Sequence, residues 1–123
     1  MKNNVILEKS FAFAIRTVKL YKYLCDTKKE FILSKQLLRS GTSIGANIRE
    51  MVHAHSKKDF LVKAEIALKE ANETLYWIEL LSETQYITGK GKDGVWKDCD
   101  EIVSILVSIV RTTKNSLREK SNI

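Results

Sequence analysis

Glu50 and His53 form a Glu-x-x-His unit, a spacing that supplies metal ligands in di-iron four-helix bundles. Such a site needs a second Glu-x-x-His unit and two further carboxylates that point into the bundle. Glu70 and Glu73 come nearest to meeting this requirement in the chain. His53 and His55 are two positions apart, which turns them to different faces of a helix. The sequence therefore predicts no metal site, and these histidines are interpreted as surface or helix-end residues.

The string Gly-Lys-Gly-Lys-Asp-Gly at residues 89–94 has the glycine spacing of the dinucleotide-binding fingerprint. That fingerprint works only where a strand ends and a helix begins inside a βαβ unit, and no strand precedes this string. The string also lacks the lysine and hydroxyl that close a phosphate-binding P-loop. We interpret it as a flexible, basic loop between two helices.

Cys25 and Cys99 are the two cysteines of the chain, and neither has another cysteine at metal-ligand spacing. Both fall on apolar stripes of helical period, where a cysteine acts as a small core residue. No Ser-His-Asp or Cys-His grouping emerges from the pattern. We therefore expect no enzyme and no cofactor. Because the cysteines form no disulfide framework, we expect the protein to reside in the reducing cytoplasm.

The positive charge is concentrated in the first half of the chain. Residues 1–58 hold twelve Lys and Arg against four Asp and Glu, a net charge of +8, whereas residues 59–123 hold nine against eleven, a net charge of −2. A surface of this kind can neutralise the phosphates of a nucleic acid. The candidate nucleic-acid-binding residues are Arg16, Lys19, Lys22, Lys28, Lys29, Lys35, Arg39 and Arg49. Because no aromatic stacking residues are interleaved among these charges, a solvated basic face without a ligand is an equally open interpretation.

Four segments with the apolar period of an α-helix carry these residues, at about 4–26, 31–54, 57–85 and 94–118. The β-branched run 102–110 could be a buried strand, but no other segment offers it a strand partner. That run is also far shorter than the roughly 20 residues that span a bilayer, so we expect no membrane partner. Residues 1–123 are predicted to form one all-α domain, an antiparallel up-down-up-down four-helix bundle.

Local signals mark two of the helix starts. Thr27 with Glu30, and Ser56 with Asp59, have the spacing of capping boxes, although Ser34 is an alternative cap for the second helix. Within that helix, two glycines four residues apart each cost roughly 1 kcal/mol relative to alanine. They favour close approach of another helix, either inside the bundle or from another subunit.

The apolar residues exceed what one bundle core can cover. In the first helix the predicted core stripe contains Leu7, Phe11, Ala14, Ile15, Val18, Tyr21 and Cys25. Further apolar residues widen this stripe, and the third helix has a second apolar face opposite its core stripe. Self-association through these two helices explains both features better than a few exposed apolar residues do. The predicted subunit-interface residues are Ile6, Phe13, Leu20, Val62, Ile66, Tyr76, Trp77 and Leu80.

Residues 32–50 resemble the four-helix-bundle proteins encoded in intervening sequences of bacterial 23S rRNA genes, and the resemblance continues through residues 56–60 and 67–74. Its most specific pattern is Gln36, Arg39 and Ser40, followed by residues 43–48 and Glu50. The resemblance implies an all-α subunit that assembles into a ring, typically a homopentamer, with no catalytic residues. It extends distantly to the accessory variability protein of diversity-generating retroelements, which works with nucleic acid and a reverse transcriptase.

Two functions remain open from the sequence. The first is a non-enzymatic oligomer that binds RNA or another nucleic acid through the basic residues of the first two helices. The second is a purely structural or protein-interaction oligomer, with a protein partner and no nucleic-acid ligand.

Overall fold

The structure, a computed structural model, describes the backbone of residues 2–121 and the side chains of residues 5–120. Its helices are α1 (Lys2–Asp26), α2 (Leu33–Val52), α3 (Lys57–Glu83) and α4 (Gly89–Ser121). The all-α class and the four helices are confirmed, and the run 102–110 lies inside α4. Within the described residues, no helix combines the length and apolar character that crossing a bilayer requires.

The start of α4 differs from the prediction. The predicted loop at residues 89–94 is wrong, because these residues already form the first turns of α4 and the connection from α3 is residues 84–88. Gly89 begins the helix with a φ of 61°, a left-handed conformation that glycine adopts without strain. The glycines weaken this segment intrinsically, but Val95 and Cys99 bury completely against the bundle in the turns that follow. Tertiary packing of an apolar face thus stabilises a helix that propensity alone disfavours.

Each helix of the bundle contacts the next one along the chain, and α1 also contacts α4. No Cα atoms of the diagonal pairs α1–α3 and α2–α4 approach within 8 Å in the described part of the chain. Across every contacting pair, residues meet in opposite sequence order, as antiparallel helices require. The pairs are Ser10–Gly45 and Thr17–Gly41 for α1 and α2, Ser40–Thr74 and Glu50–Lys63 for α2 and α3, Ala71–Cys99 and Glu65–Lys114 for α3 and α4, and Arg16–Asp98 and Lys9–Glu101 for α1 and α4.

The core-facing stripe of α1 is rotated from its predicted position. Ile6 and Phe13, predicted at a subunit interface, are 0% and 2% exposed and belong to the core of the single chain, so that prediction is wrong. Phe11 and Ile15, predicted in the core, are 57% and 44% exposed. The reason is that the buried stripe of α1 contains two hydroxyl residues, which apolar spacing passes over. These are Ser10 and Thr17, whose hydroxyls donate to the carbonyls of Leu7 and Phe13 at 3.2 and 2.8 Å.

Gly41 and Gly45 pack against these same hydroxyl residues inside one chain. A Cβ atom on Gly41 would lie 2.7 Å from Thr17 Cγ2, a separation that real side chains do not tolerate. A Cβ on Gly45 would lie 3.3 Å from the carbonyl oxygen of Ser10, which is tight but closer to ordinary contact. Small residues on both helices thus let α1 and α2 approach closely, which explains the helical glycines as intra-subunit packing.

Candidate nucleic-acid interface

The connection between α1 and α2 is built around the carboxylate of Glu30. Its Oε2 accepts hydrogen bonds from the backbone N–H groups of Ile32 at 3.2 Å and Leu33 at 3.1 Å, and its Oε1 accepts from Ser34 N–H at 2.7 Å. The first N–H groups of α2 are therefore satisfied by Glu30, three residues after the predicted cap Thr27. Ser34 does not cap either, because its hydroxyl donates to the Glu30 carbonyl oxygen at 2.8 Å. The predicted helix start at Ser56 is confirmed, because Ser56 is the N-cap of α3 and its Oγ accepts from Asp59 N–H at 3.0 Å.

The protonation of Glu30 follows from these bonds. Burial of the carboxyl acts to raise its pKa, but the N–H groups of Ser34, Leu33 and Ile32 stabilise the charged form more strongly. The pKa of Glu30 therefore lies below its ordinary value. An ionised Glu30 holds the turn in one conformation, including Lys29 in the left-handed region at a φ of 55°. Three hydrogen bonds to Glu30 therefore stabilise the turn that carries the charged residues.

Five of the eight predicted basic residues gather around this turn, and we call them the basic end. All five side chains are exposed, and none forms an ion pair with another described residue. Because α1 ends and α2 begins here, the last turns of α1, the connection and the first turn of α2 bring them to one end of the bundle. The basic end consists of Lys19, Lys22, Lys28, Lys29 and Lys35.

The three predicted arginines have local partners instead. Arg16 Nη1 lies 2.8 Å from Asp98 Oδ2 on α4, and Arg39 Nη2 lies 3.6 Å from Glu73 Oε2 on α3. The guanidinium carbon of Arg49 lies 5.9 Å from the ring centroid of Phe11, within the range of a cation–π contact. Arg49 is also near the far end of α2 from the basic end. The structure thus groups the lysines and leaves the arginines to join neighbouring helices.

Aromatic and aliphatic side chains are exposed among the lysines, contrary to the expectation that no aromatic residues are interleaved with these charges. Tyr23 is 44% exposed, Phe31 53% and Ile32 76%. Tyr23 directly follows Lys22, and Phe31 lies two residues after Lys29, so the signal was an aromatic residue adjoining lysines on both sides of the turn. Proteins that bind single-stranded nucleic acids commonly combine exposed aromatic rings, on which bases stack, with positive charges that contact the phosphates.

Apolar side chains form two exposed strips on helices that do not touch each other. The α3 strip includes Val62, Ile66 and Tyr76, which are exposed, with Trp77 and Leu80 half-buried beside them. The α1 strip consists of Phe11 and Ile15. Leu20, the remaining predicted interface residue, is half-buried and packs against the core of its own chain.

Trp77 is tied to its own helix. Its indole Nε1–H donates to Glu73 Oε2 at 3.2 Å, and its ring meets Tyr76 edge to face with centroids 5.0 Å apart. The Trp77 ring also packs against the core, so it contributes to the fold as well as to the α3 strip. Tyr76 and Val62, by contrast, are mainly surface residues of that strip.

Comparison with known proteins decides the family. The sequence model of the 23S rRNA-intervening sequence protein family matches residues 2–108. The chain belongs to this family. It is also similar to a solved structure of a protein with unknown function from the S23 ribosomal protein family of Bacteroides thetaiotaomicron. The two share 56% sequence identity and a TM-score of 0.88 over 90% of this chain and 99% of the other. No curated protein matches the chain.

In this 23S rRNA-intervening sequence protein, Glu50 and Cys99, which were among the side chains first considered for chemistry, have structural partners. Glu50 Oε1 lies 3.2 Å from Lys63 Nζ, and no group of three or more metal-ligating side chains converges within the described residues. Burial raises the pKa of Cys99 to about 12, and its Sγ donates to the Ala71 carbonyl oxygen at 3.4 Å. The Cys99 thiol therefore stays protonated and is a poor nucleophile at neutral pH.

Proposed function

We propose that this protein is a non-enzymatic homo-oligomer that binds RNA through the basic end. The observation that carries the proposal is the grouping of five exposed lysines without ion-pair partners around a turn that also exposes Tyr23 and Phe31. Phosphate groups of an RNA neutralise such lysines and release condensed counterions, which supplies affinity without sequence specificity. The aromatic rings add stacking contacts with unpaired bases, a contribution of about 1–3 kcal/mol per base.

Membership of the 23S rRNA-intervening sequence family supports an RNA partner only through the genomic setting that its name describes. The stronger support is physical, because unpaired surface lysines raise the electrostatic potential of one end of the bundle. Lysine suits this role, since its ammonium group contacts phosphate as a point charge without requiring a fixed planar geometry. The proposed ligand is therefore a structured RNA with exposed phosphates and some unpaired bases.

Two variants with equal net charge test the location of binding. In one, the five lysines of the basic end are replaced by glutamine. In its matched control, five other exposed basic residues are replaced by glutamine, so both variants change from a net charge of +6 to +1. The control residues form no ion pair with another described residue, and they are Lys69, Lys97, Arg111, Arg118 and Lys120.

The readout is the fluorescence anisotropy of a labelled RNA hairpin at low salt. We expect the basic-end variant to bind at least about tenfold more weakly than the control variant, because each lost phosphate contact removes counterion release. Equal affinities in the two variants would show that only net charge matters, and absence of binding by the wild-type chain would contradict an RNA ligand.

The homo-oligomer is supported by the placement of the two apolar strips on diagonal helices. If the α1 strip of one copy packs on the α3 strip of the next, each contact leaves one strip of each kind free. Such a heterologous contact propagates until the chain of subunits closes into a ring. The ring that the family resemblance implies, a homopentamer, is one closure of this kind.

A single substitution and a matched control test that contact. Val62 is 50% exposed in the α3 strip, and Val107 is 36% exposed on α4, outside both strips. Val62→Glu places a charge in the proposed interface, so we expect multi-angle light scattering to show a smaller assembly. Val107→Glu introduces the same charge elsewhere and should leave the assembly intact. Equal masses for Val62→Glu and the wild type would contradict the contact through α3.

The second candidate function is a structural or protein-interaction oligomer without a nucleic-acid ligand. It is favoured by the α3 strip, because exposed apolar residues of this kind pack against proteins rather than phosphates. The two candidates share the oligomer and differ in the role of the basic end. An assembled ring without salt-dependent RNA binding would select this second function.

A further inference from the structure

A second basic feature lies beside the basic end, in a cavity between α1 and the start of α4. The cavity has a volume of about 350 Å³. Its walls come from the second half of α1, the connection after α3 and the first two turns of α4. Its polar and glycine lining consists of Arg16, Lys19, Tyr23, Thr88, Gly91 and Lys92, and three aliphatic side chains complete the wall.

The lining carries more positive than negative charge. Three lining residues are cations, Arg16, Lys19 and Lys92, and none of the lining residues is Asp or Glu. Outside the lining, Asp98 pairs with Arg16 at 2.8 Å and Asp93 lies 3.9 Å from Lys92 Nζ, whereas Lys19 has no ion-pair partner among the described residues. The hydroxyls of Tyr23 and Thr88 supply further donors, and aliphatic side chains supply the rest of the wall. An apolar cavity with a few convergent polar groups is the usual form of a small-molecule site, and three cations against two neighbouring carboxylates favour an anionic ligand.

The position of Arg16 in this wall depends on Asp98 and Gly94. Arg16 Nη1 donates to Asp98 Oδ2 at 2.8 Å, which holds the guanidinium against α4. A Cβ atom on Gly94 would overlap Nη2 of Arg16, so a larger residue at this point would displace the guanidinium from its present position. An arginine held in one orientation loses less conformational entropy when it binds an oxyanion.

Gly91 leaves the helix backbone bare on the cavity wall. A Cβ atom at this position would meet no atom within 4 Å, so the fold does not require glycine here. A volume of about 350 Å³ is at the small end of ligand sites and accommodates a ligand of about mononucleotide size. Tyr23 borders the cavity and is 44% exposed, which gives a base or sugar a ring to pack on.

We propose that this cavity binds the phosphomonoester group of a nucleotide-sized ligand, with Arg16, Lys19 and Lys92 contacting the phosphate. The ligand is either a free mononucleotide or the 5′-phosphorylated end of an RNA strand, because both present the same group. The site shares Lys19 with the basic end but does not rest on the proposed binding of structured RNA. Salt-dependent binding of an RNA hairpin could fail while this cavity still binds its ligand.

Calorimetric titration with adenosine monophosphate tests the site, with adenosine as the control ligand. We expect the monophosphate to bind and adenosine to bind at least about tenfold more weakly, since hydrogen bonds to a charged group contribute about 1.5–3 kcal/mol. Equal binding of the two ligands, or no binding of the monophosphate at millimolar concentration, overturns the proposal. A comparison of short RNAs with 5′-phosphate and 5′-hydroxyl ends identifies the source, with preference for the phosphorylated RNA over the monophosphate indicating a strand end.

Two lysines two residues apart on α4 provide the matched variants. Lys92 lines the cavity, whereas Lys90 is exposed outside it. We expect Lys92→Gln to weaken monophosphate binding about tenfold and Lys90→Gln to leave it within about twofold. As a second test, Gly91→Glu adds a carboxylate at the wall without a steric conflict and should abolish binding. Equal effects of the two lysine variants, or full binding by Gly91→Glu, overturn the proposal.

Discussion

Arg16 on α1 and Asp98 on α4 form an ion pair of 2.8 Å that joins these two adjacent helices beside Gly94. Both side chains are about half exposed, so the pair contributes little to the free energy of unfolding by itself. Its structural effect is to fix the guanidinium at the α1–α4 contact. Lys9 and Glu101 form a second ion pair along the same contact.

Two alanine substitutions separate the roles of the glycines in α4. Gly91→Ala should raise the free energy of unfolding by about 0.5–1 kcal/mol, because alanine is the better helix former and its Cβ meets open space. Gly94→Ala should raise the free energy of unfolding by less than Gly91→Ala does, or lower it, because its Cβ overlaps Arg16 and displaces the guanidinium. Urea denaturation measures both. The double variant Gly94→Ala/Arg16→Ala should recover the gain, and equal gains in the two single variants would contradict this role for Gly94.

Glu30 should make the α1–α2 turn sensitive to acid. Its folded-state pKa is lowered, so its contribution to stability is fully present above the unfolded-state pKa and is lost as the pH falls through the folded-state value. Glu30→Gln should therefore lower the free energy of unfolding by about 1–3 kcal/mol at neutral pH and by much less in acid. Urea denaturation at both pH values provides the measurement. Asp26→Asn, at an exposed position four residues earlier, is the control and should have little effect.

Thr17 limits what can replace Gly41. Alanine favours the helix by roughly 1 kcal/mol, but overpacking a close helix contact costs about 1–3 kcal/mol. We expect Gly41→Ala to lower the melting temperature more than Gly45→Ala, whose Cβ meets a backbone oxygen at 3.3 Å. Thr17→Ala in the Gly41→Ala background should restore part of the loss. A neutral Gly41→Ala would show that the helices move apart at little cost.

Gln85 lies just after the C-terminal end of α3, in a backbone conformation that favours glycine. Its φ is 66°, and the backbone N–H groups of Gln85 and Tyr86 donate to the carbonyl oxygens of Ser82 and Leu81 at 3.0 and 2.9 Å. This is a Schellman motif, in which the left-handed residue is usually glycine. Gln85→Gly should raise the free energy of unfolding by about 1 kcal/mol, measured by urea denaturation. Destabilisation would contradict the motif.

Much of the bundle is predictable because α2, α3 and α4 bury aliphatic residues at helical spacing. Ile44 and Ile48 on α2, Ala67 and Ile78 on α3, and Leu106 on α4 are all fully buried. The stripe of α1 was misplaced because Ser10 and Thr17 satisfy their hydroxyls on their own helix and can therefore be buried. Hydrophobic periodicity does not detect such positions.

The positive charge of the candidate nucleic-acid interface was predictable from the sequence, but the grouping of its basic residues was not. Local sequence shows that Lys28 and Lys29 adjoin a helix end, yet it does not show which basic residues find acidic partners on other helices. Arg16 and Arg39 pair with Asp98 and Glu73, which are more than thirty residues away along the chain. The glycine string was assigned to a loop because glycine is a poor helix former, and packing of the following turns outweighed that preference.

The salt dependence of RNA binding tests the central proposal most directly. For the wild-type chain and a labelled RNA hairpin, we expect the logarithm of the association constant to fall linearly with the logarithm of salt concentration. Replacement of the five lysines of the basic end by glutamine should reduce that slope by about 4, since each phosphate contact contributes roughly 0.7–0.9. The matched control variant should retain the wild-type slope. A flat dependence for the wild type, or equal slopes for wild type and basic-end variant, would contradict binding of RNA through the basic end.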